Sequence, residues 1–297
     1  PMYVTADDAV KAVRTGDHIH LSSVASVPHI LIESLCRRAD AGEVRDLHFH
    51  HFHTEGPAPY AEPKYEGIFF DQGFFIGPNV RADANAGYAD YLPVHLSEKL
   101  YRSGALRCDV AMVQVSLPDE NGMFSLGTSV DCSLAAVESA RTVIAVVNAN
   151  VPFSYGDLVR PELIDYLVRD DSPLFTKDYA EPDETEKLIS KNCSELIPDG
   201  ACLQMGIGAL PNALAVALSD HKDLGLHTEM FADGILRLIK KGVINGRRKK
   251  IDTGKVVASF LLGSAEVYKF IDHNPDVLMK DIEEHSKIHL RCFITSE

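Results

Sequence analysis

The stretch Leu203–Met230, LQMGIGALPNALAVALSDHKDLGLHTEM, contains a complete strand, loop, helix and strand. The apolar segment that begins near Ala201 is too short for a helix, so it predicts a buried strand. The glycines of Gly206-Ile207-Gly208 end this strand, and Pro211 is well placed as the first helical residue, where its missing N–H costs nothing. A second strand follows at Leu224–His227. This alternation of strands and helices predicts an α/β fold with an open sheet.

Glu229 follows the second strand and is therefore expected near the carboxyl edge of the sheet, where open α/β folds place their sites. A glycine loop before a helix lets backbone N–H groups approach a ligand closely, and the helix dipole favours negative charge there. We therefore expect a carboxylate and an anion-stabilising loop to face each other. The alternatives are glycines that serve packing only, and a glutamate in the acidic first turn of the next helix. The spacing alone leaves these alternatives open.

The length of 297 residues exceeds a usual single core, which predicts two domains. The chain has 43 acidic and 29 basic side chains, and its net charge of −14 argues against nucleic acid or an anionic membrane as the main partner. The densest basic run is Arg247-Arg248-Lys249-Lys250. It predicts either a local phosphate pocket or a solvated loop.

The six cysteines are scattered and include no C-x-x-C pair, which predicts reduced, structural thiols in an intracellular protein. No apolar run approaches the ~20 residues that a membrane helix needs, so we expect no membrane partner. The chain begins at Pro1 rather than methionine, which leaves open a removed targeting segment. We expect a mitochondrial location if the source is eukaryotic and a cytoplasmic one if it is bacterial.

The chain contains an internal similarity. Gly16 precedes a strand that leads to a helix opened by Pro28, and Gly200 precedes a strand that leads to the helix opened by Pro211. Two copies of one strand, loop and helix unit predict two related α/β domains. The alternative is a chance similarity between two generic units.

The segment Val168–Glu186 is crowded with Asp, Pro and Glu and lacks periodicity, so we place the domain boundary there. The N-terminal domain is expected at residues 1–175. A partial C-terminal domain, which carries Glu229, is expected at 183–282, and residues 283–297 form a divergent tail.

The segment Leu47–His53, LHFHHFH, alternates as a strand with histidines on both faces. A metal site is disfavoured, because histidines two apart on a strand lack the turn that closes a tetrahedral site. Residues 54–95 predict a long irregular segment that lines a cleft. Further expected strands are His18–Ser22, Asp109–Ser116, Thr142–Val147 and Lys255–Leu261; further expected helices are Thr185–Cys193, Asp233–Lys241 and Ala265–Ile271.

Several motifs occur in an order that resembles the acetyl-CoA hydrolase/transferase family, and most closely its 4-hydroxybutyrate, butyrate or acetate CoA-transferase branch. The similarity runs from about Ala6 to about Ile282. Its motifs are Pro118–Gly122, Asn148-x-x-Val151-Pro152-x-x-Tyr155-Gly156-Asp157, Gln204–Pro211, Leu224–Met230 and Phe260–Ser264.

The resemblance implies that Glu229 attacks an acyl-CoA thioester and that a glutamyl-CoA thioester then forms in a ping-pong reaction. Coenzyme A would be substrate and covalent intermediate, with no metal, and the acceptor would be a short-chain carboxylate. The residues matched to the family's CoA-binding loop are Gly206, Ile207, Gly208, Ala209 and Leu210. The adjacent Gln204 either aims its amide at the same place or pairs with backbone. The loop Ser22–Val27 matches a first-domain loop that faces the acyl group. A homodimer is the default assembly.

Family members are longer, and their second domain contributes a further glycine-rich loop and a C-terminal motif that this sequence lacks. The resemblance stops after Ile282 and implies a second domain with an unpaired sheet edge, which predicts a poorly stable or inactive product. Two other functions stay open, namely an acyl-CoA hydrolase and a non-catalytic CoA-binding protein. A nicotinamide-binding domain is disfavoured, because Pro211 stands near the place of the third glycine of G-x-G-x-x-G.

Overall fold

The computed structural model describes residues 1–95, 100–178, 181–206 and 208–283. The chain divides into two compact units. Unit 1 comprises Pro1–Phe153 and Leu158–Phe175. Unit 2 comprises Ser154–Asp157 and the described residues from Thr176 onward.

The strands are short, and most of them are parallel to their neighbours. In chain order they are β1 (Met2–Tyr3), β2 (His18–Leu21), β3 (Leu47–His51), β4 (Phe69–Gly73), β5 (Ala89–Tyr91), β6 (Val110–Val115), β7 (Phe124–Ser125), β8 (Thr142–Val147), β9 (Tyr155–Gly156), β10 (Leu158–Val159), β11 (Tyr166–Arg169), β12 (Cys202–Leu203), β13 (Gly225–Leu226), β14 (Met230–Phe231), β15 (Val256–Ala258), β16 (Phe260–Leu261) and β17 (Val277–Met279).

The helices alternate with these strands, as the sequence predicts. They are α1 (Ala6–Ala9), α2 (His29–Asp40), α3 (Arg81–Ala86), α4 (Ser133–Ser139), α5 (Glu184–Ser194), α6 (Ala209–Ala217), α7 (Asp233–Lys240) and α8 (Ala265–Ile271). Short 3₁₀ turns cover Val10–Ala12, Pro59–Ala61, Pro63–Tyr65 and Pro161–Leu163.

Unit 1 contains an eight-stranded sheet in the order β1-β11-β8-β6-β2-β3-β4-β5, with parallel pairing throughout. Its central strands β6 and β8 are almost entirely buried, which explains their continuous apolar sequences. Helix α2 contributes Leu31 and Leu35 to the same buried cluster as Ile19 of β2 and Phe49 of β3. The carboxyl ends of these strands consequently share one edge of the sheet.

Unit 2 is also built on parallel pairs. Strand β12 pairs with β13, β14 with β16, and β17 with both β15 and β9. A bridge between His227 and Val257 connects the first pair to β15. Strand β9 comes from the segment Ser154–Asp157, which the sequence does not assign to this unit. The fold of two open α/β units is therefore confirmed.

Two local predictions are wrong. Residues 54–95 are not an irregular segment, because they supply β4 and β5 to the sheet and also α3. The strand expected at Lys255–Leu261 is broken at Ser259. The carbonyl oxygen of Glu229 accepts hydrogen bonds from the successive N–H groups of Ser259 and Phe260, at 2.9 and 3.0 Å, which interrupts the regular ladder.

Candidate active site

The glycine loop lies between β12 and α6. Helix α6 begins at Ala209, two residues earlier than the sequence predicts, so Pro211 is its third residue. That position is still in the first turn, where N–H groups have no acceptor within the helix, and the proline is tolerated for the same reason. Leu210 is 40% exposed. The first turn of α6 therefore presents backbone N–H groups beside the loop, as an anion site requires.

Gly208 caps this helix with φ +123°, a backbone conformation that side chains strongly disfavour. A Cβ atom at Gly206 or Gly208 would meet no described atom within 4 Å. Packing among the described residues therefore does not require glycine at either position. The glycines instead leave open space beside the backbone. Ile207, which the sequence places in the same loop, lies outside the described residues.

Gln204 is half-buried immediately before the loop. Within the described part of the chain its amide makes no side-chain hydrogen bond, so the alternative in which it pairs with backbone is not observed.

Glu229 lies at the break between β13 and β14, with its backbone carbonyl fixed by Ser259 and Phe260. Its side chain is half-buried, and no described residue donates a hydrogen bond to its carboxylate. Burial raises the pKa of this carboxyl group above its ordinary value of 4.5. An ionised carboxylate with raised basicity and no internal donor is a stronger nucleophile than a solvated or ion-paired one.

Helix α7 follows Glu229 and packs closely on α6. The N–H of Gly234 donates to Oδ1 of Asn212 at 3.3 Å. A Cβ atom at Gly234 would come within 2.9 Å of the side chain of Ala215. Because α6 starts at the glycine loop and α7 starts four residues after Glu229, this contact joins the two segments of the candidate site.

The basic run contains a residue whose structural role the sequence does not reveal. Lys249 is buried, and its Nζ donates to the carbonyl oxygens of Leu226 at 2.9 Å and Lys255 at 2.7 Å. Arg248 donates to the carbonyl oxygen of Asp199. Two residues of the run therefore bond to backbone, Arg248 just before β12 and Lys249 in β13. The prediction of a solvated loop is wrong for Lys249, which is buried, whereas Arg247, Arg248 and Lys250 are exposed.

Unit 1 has its own cavity of about 320 Å³ at the carboxyl edge of its sheet. The loops after β2, β3 and β11 line it, and its walls include Ala25, His29, Glu33, Gly56, Gln114 and Asp170. The loop Ser22–Val27, singled out from the sequence, contributes to this cavity. It is anchored to the end of β3 by the hydrogen bond from the N–H of Val24 to the carbonyl oxygen of His53 at 2.8 Å.

The histidines of β2 and β3 bond to each other and to neighbouring polar groups. Nδ1 of His18 lies 2.9 Å from Nε2 of His50, and Nε2 of His51 lies 2.6 Å from Oδ1 of Asp71. Burial lowers the pKa of His20 and of His50 to about 3, so both are neutral at physiological pH. No group of three metal-ligating side chains with suitable geometry occurs among residues 1–95, 100–178, 181–206 and 208–283.

No helix within these ranges is both long enough and apolar enough to cross a membrane.

Residues 2–176 match the model of the acetyl-CoA hydrolase/transferase N-terminal domain. The chain is 37% identical over 277 residues to a 4-hydroxybutyrate coenzyme A transferase of Clostridium kluyveri, covering 92% of this chain and 64% of that protein. It is 36% identical over 280 residues to a succinyl-CoA:acetate/propanoyl-CoA:succinate CoA transferase of Fasciola hepatica, covering 93% of this chain and 58% of that protein.

The crystal structure of RipA from Yersinia pestis has the same fold, with a TM-score of 0.91 and 29% identity over 97% of this chain and 70% of that one. The chain thus spans about three fifths of the length of the two curated relatives named above. A family match over residues 2–176 covers more than half of the 297 residues. Together with the shared fold, it shows that the chain belongs to the acetyl-CoA hydrolase/transferase family.

Proposed function

We propose that this chain carries the nucleophile of a CoA-transferase that moves coenzyme A from an acyl-CoA to a short-chain carboxylate. The observation that carries the proposal is the state of Glu229. Its half-buried carboxylate has a raised pKa and accepts no hydrogen bond from the described residues. Glu229 follows β13, and β13 pairs with β12, the strand that leads into the open glycine loop. The names of the relatives support the substrate class, since one is a 4-hydroxybutyrate coenzyme A transferase and the other a succinyl-CoA:acetate/propanoyl-CoA:succinate CoA transferase.

In the proposed first half-reaction, a carboxylate oxygen of Glu229 attacks the thioester carbonyl carbon of the acyl-CoA. The carbon–sulfur bond breaks, the CoA thiolate leaves, and a mixed anhydride forms between Glu229 and the acyl group. The thiolate then attacks the glutamyl carbonyl carbon and releases the donor carboxylate. The product is a glutamyl-CoA thioester, and no proton transfer is required because all leaving groups depart as anions.

The second half-reaction reverses these steps with the acceptor. Its carboxylate attacks the glutamyl thioester and expels the thiolate, and the thiolate then attacks the acceptor acyl carbon of the new anhydride. This forms the product acyl-CoA and restores the carboxylate of Glu229. Because the donor acid leaves before the acceptor reacts, the kinetics are expected to be ping-pong.

The glycine loop is proposed to stabilise the negative charge on the carbonyl oxygen during each attack. The donors would be backbone N–H groups of Gly206, Ile207, Gly208, Ala209 and Leu210, assisted by the amide of Gln204. Removal of one such donor typically costs ~3 kcal/mol of transition-state stabilisation.

The test is steady-state turnover of acetyl-CoA with propionate, butyrate, succinate or 4-hydroxybutyrate as acceptor. Parallel double-reciprocal lines and acceptor-dependent exchange are expected. Replacement of Glu229 by Gln should abolish exchange, whereas Glu195→Gln, an exposed unit 2 glutamate, should leave it unchanged.

CoA release that does not depend on the acceptor would instead identify a hydrolase, because water then takes the acyl group. Detectable CoA affinity without turnover or covalent adduct would identify a CoA-binding protein. Either result would overturn the transferase proposal.

A further inference from the structure

The hydroxyl group of Thr228 connects the glycine loop to the strand that carries Glu229. Its Oγ1 accepts a hydrogen bond from the N–H of Met205 at 2.9 Å and donates to the carbonyl oxygen of Met205 at 2.8 Å. The carbonyl oxygen of Met230 is a second acceptor at 3.2 Å. The side chain thus binds the residue before Gly206 while its own backbone precedes Glu229.

This arrangement begins where the regular pairing of the two strands ends. Strands β12 and β13 pair through Leu203 and Leu226, and the N–H of His227 still donates to the carbonyl oxygen of Leu203 at 3.0 Å. At Met205 the side chain of Thr228 satisfies both backbone groups. The strand can therefore diverge into the loop while the residue before Gly206 stays fixed.

The backbone of Thr228 is fixed on its other side as well. Its N–H donates to the carbonyl oxygen of Val257 at 2.9 Å, in the strand next to it. Thr228 is fully buried, so solvent cannot replace any of these bonds. If the hydroxyl is removed, Met205 retains a buried N–H and a buried C=O that have lost this partner.

From these contacts we infer that Thr228 is a positioning residue that sets the distance between the carboxylate of Glu229 and the N–H donors of the glycine loop. This inference rests on the proposed function, since it assigns a second residue to the same site. The side chain of Thr228 is fully buried, so we assign it no contact with substrate or coenzyme A. It acts by holding two backbone segments that each supply one part of the reaction.

A displacement of about 1 Å between reacting groups can reduce a rate on the order of 100-fold. Thr228→Val keeps the shape of the side chain and removes the hydroxyl, so it should slow formation of the Glu229–CoA adduct by about this factor. Thr228→Ser retains the hydroxyl and should restore most of the rate. Thr253→Val provides a control at an exposed position of unit 2, because the hydroxyl of Thr253 also donates to a backbone carbonyl, that of Lys249 at 2.7 Å, and makes no bond to the described residues of the glycine loop or to the strand of Glu229.

The measurement is single-turnover adduct formation with acetyl-CoA at several concentrations, followed by mass spectrometry. A positioning role lowers the rate constant at saturating acetyl-CoA while the final amplitude stays high. A merely structural role lowers the amplitude, because fewer molecules are folded, and leaves the rate constant unchanged. A wild-type rate constant in Thr228→Val, or a Thr228→Ser variant as slow as Thr228→Val, would overturn the inference.

Hydrogen exchange separates this inference from the proposed function. Peptides that contain Met205 should exchange faster in Thr228→Val than in wild type or Thr253→Val, whether or not an adduct forms. Unchanged exchange would contradict the role of Thr228. An absent adduct in the folded wild-type chain would contradict the proposed function alone.

Discussion

The substitution Gly156→Ala tests the pairing of β9 with β17, because β9 is far in sequence from the other strands of unit 2. Gly156 has φ +115°, and an added Cβ atom would lie 2.1 Å from the carbonyl oxygen and 2.8 Å from the nitrogen of Met279. Both atoms belong to the backbone of β17, so rotation of a side chain cannot relieve the clash. The substitution Gly156→Ala must therefore separate β9 from β17.

Gly156→Ala should lower the free energy of unfolding in two ways, through an unfavourable backbone conformation and through weakened hydrogen bonds. The unfavourable φ of an alanine costs about 1–3 kcal/mol. Separation also weakens the hydrogen bond from the N–H of Asp157 to the carbonyl oxygen of Met279, at 2.9 Å, worth about 1 kcal/mol. The bond from the N–H of Asp281 to the carboxylate of Asp157, at 2.7 Å, contributes about 1.5–3 kcal/mol because its acceptor is charged. We expect a loss of about 3.5–7 kcal/mol in the free energy of unfolding of unit 2.

Gly242→Ala is the matched control. Gly242 also has a positive φ, of +73°, but a Cβ atom there would meet nothing within 4 Å. Gly242→Ala should lower the free energy of unfolding by only about 1–2 kcal/mol, because only the backbone conformation is unfavourable. Hydrogen exchange of unit 2 peptides over a series of urea concentrations measures both variants. Equal losses in the two variants would refute the pairing of β9 with β17.

Three further predictions concern buried charged groups. Burial raises the pKa of Glu229, so the folded state loses stability as pH rises through that pKa. Glu229→Gln should therefore raise the melting temperature at neutral pH. This gain should vanish below pH 4.5, the ordinary pKa of the group. Lys249→Met removes the donor from two buried carbonyls and should cost about 2 kcal/mol in denaturant unfolding, whereas Lys250→Met, at an exposed position, should be nearly neutral. His51→Leu leaves the carboxylate of Asp71 buried without its imidazole partner and should cost about 3–5 kcal/mol, measured by hydrogen exchange of unit 1.

The strongest local signals in the sequence predict the elements well. The β-branched run Thr142–Val147 and the helix Ala265–Ile271 have the predicted bounds. Helix α5 extends one residue further at each end than predicted, and Asp183 and Glu186 form a capping box at its start. These elements are decided by nearby residues, which is why the sequence is sufficient for them.

Long-range pairing decides the features that the sequence does not reveal. The strand expected at Lys255–Leu261 is broken by the carbonyl oxygen of Glu229, which lies about thirty residues earlier in the chain, a separation that loop-closure entropy permits at small cost. Strand β9 joins unit 2 through its pairing with β17, although the flanking residues belong to unit 1. Neither contact has a local sequence pattern.

The same distinction applies to the candidate site. Glu229 and the glycine loop can be singled out from their spacing and from the resemblance to a family. The raised pKa of Glu229 and the hydroxyl of Thr228 between two strands depend on burial and on tertiary contacts. A threonine in a short apolar strand ordinarily predicts only a β-branched packing residue.

The role of Glu229 as the nucleophile is tested most directly by peptide mass spectrometry on the chain incubated with acetyl-CoA, repeated with Glu229→Gln. We predict a CoA-sized adduct on the peptide that contains Glu229 and its loss in the variant. A folded wild-type chain without this adduct, or an adduct that persists in Glu229→Gln, would contradict the assignment of Glu229 as the nucleophile.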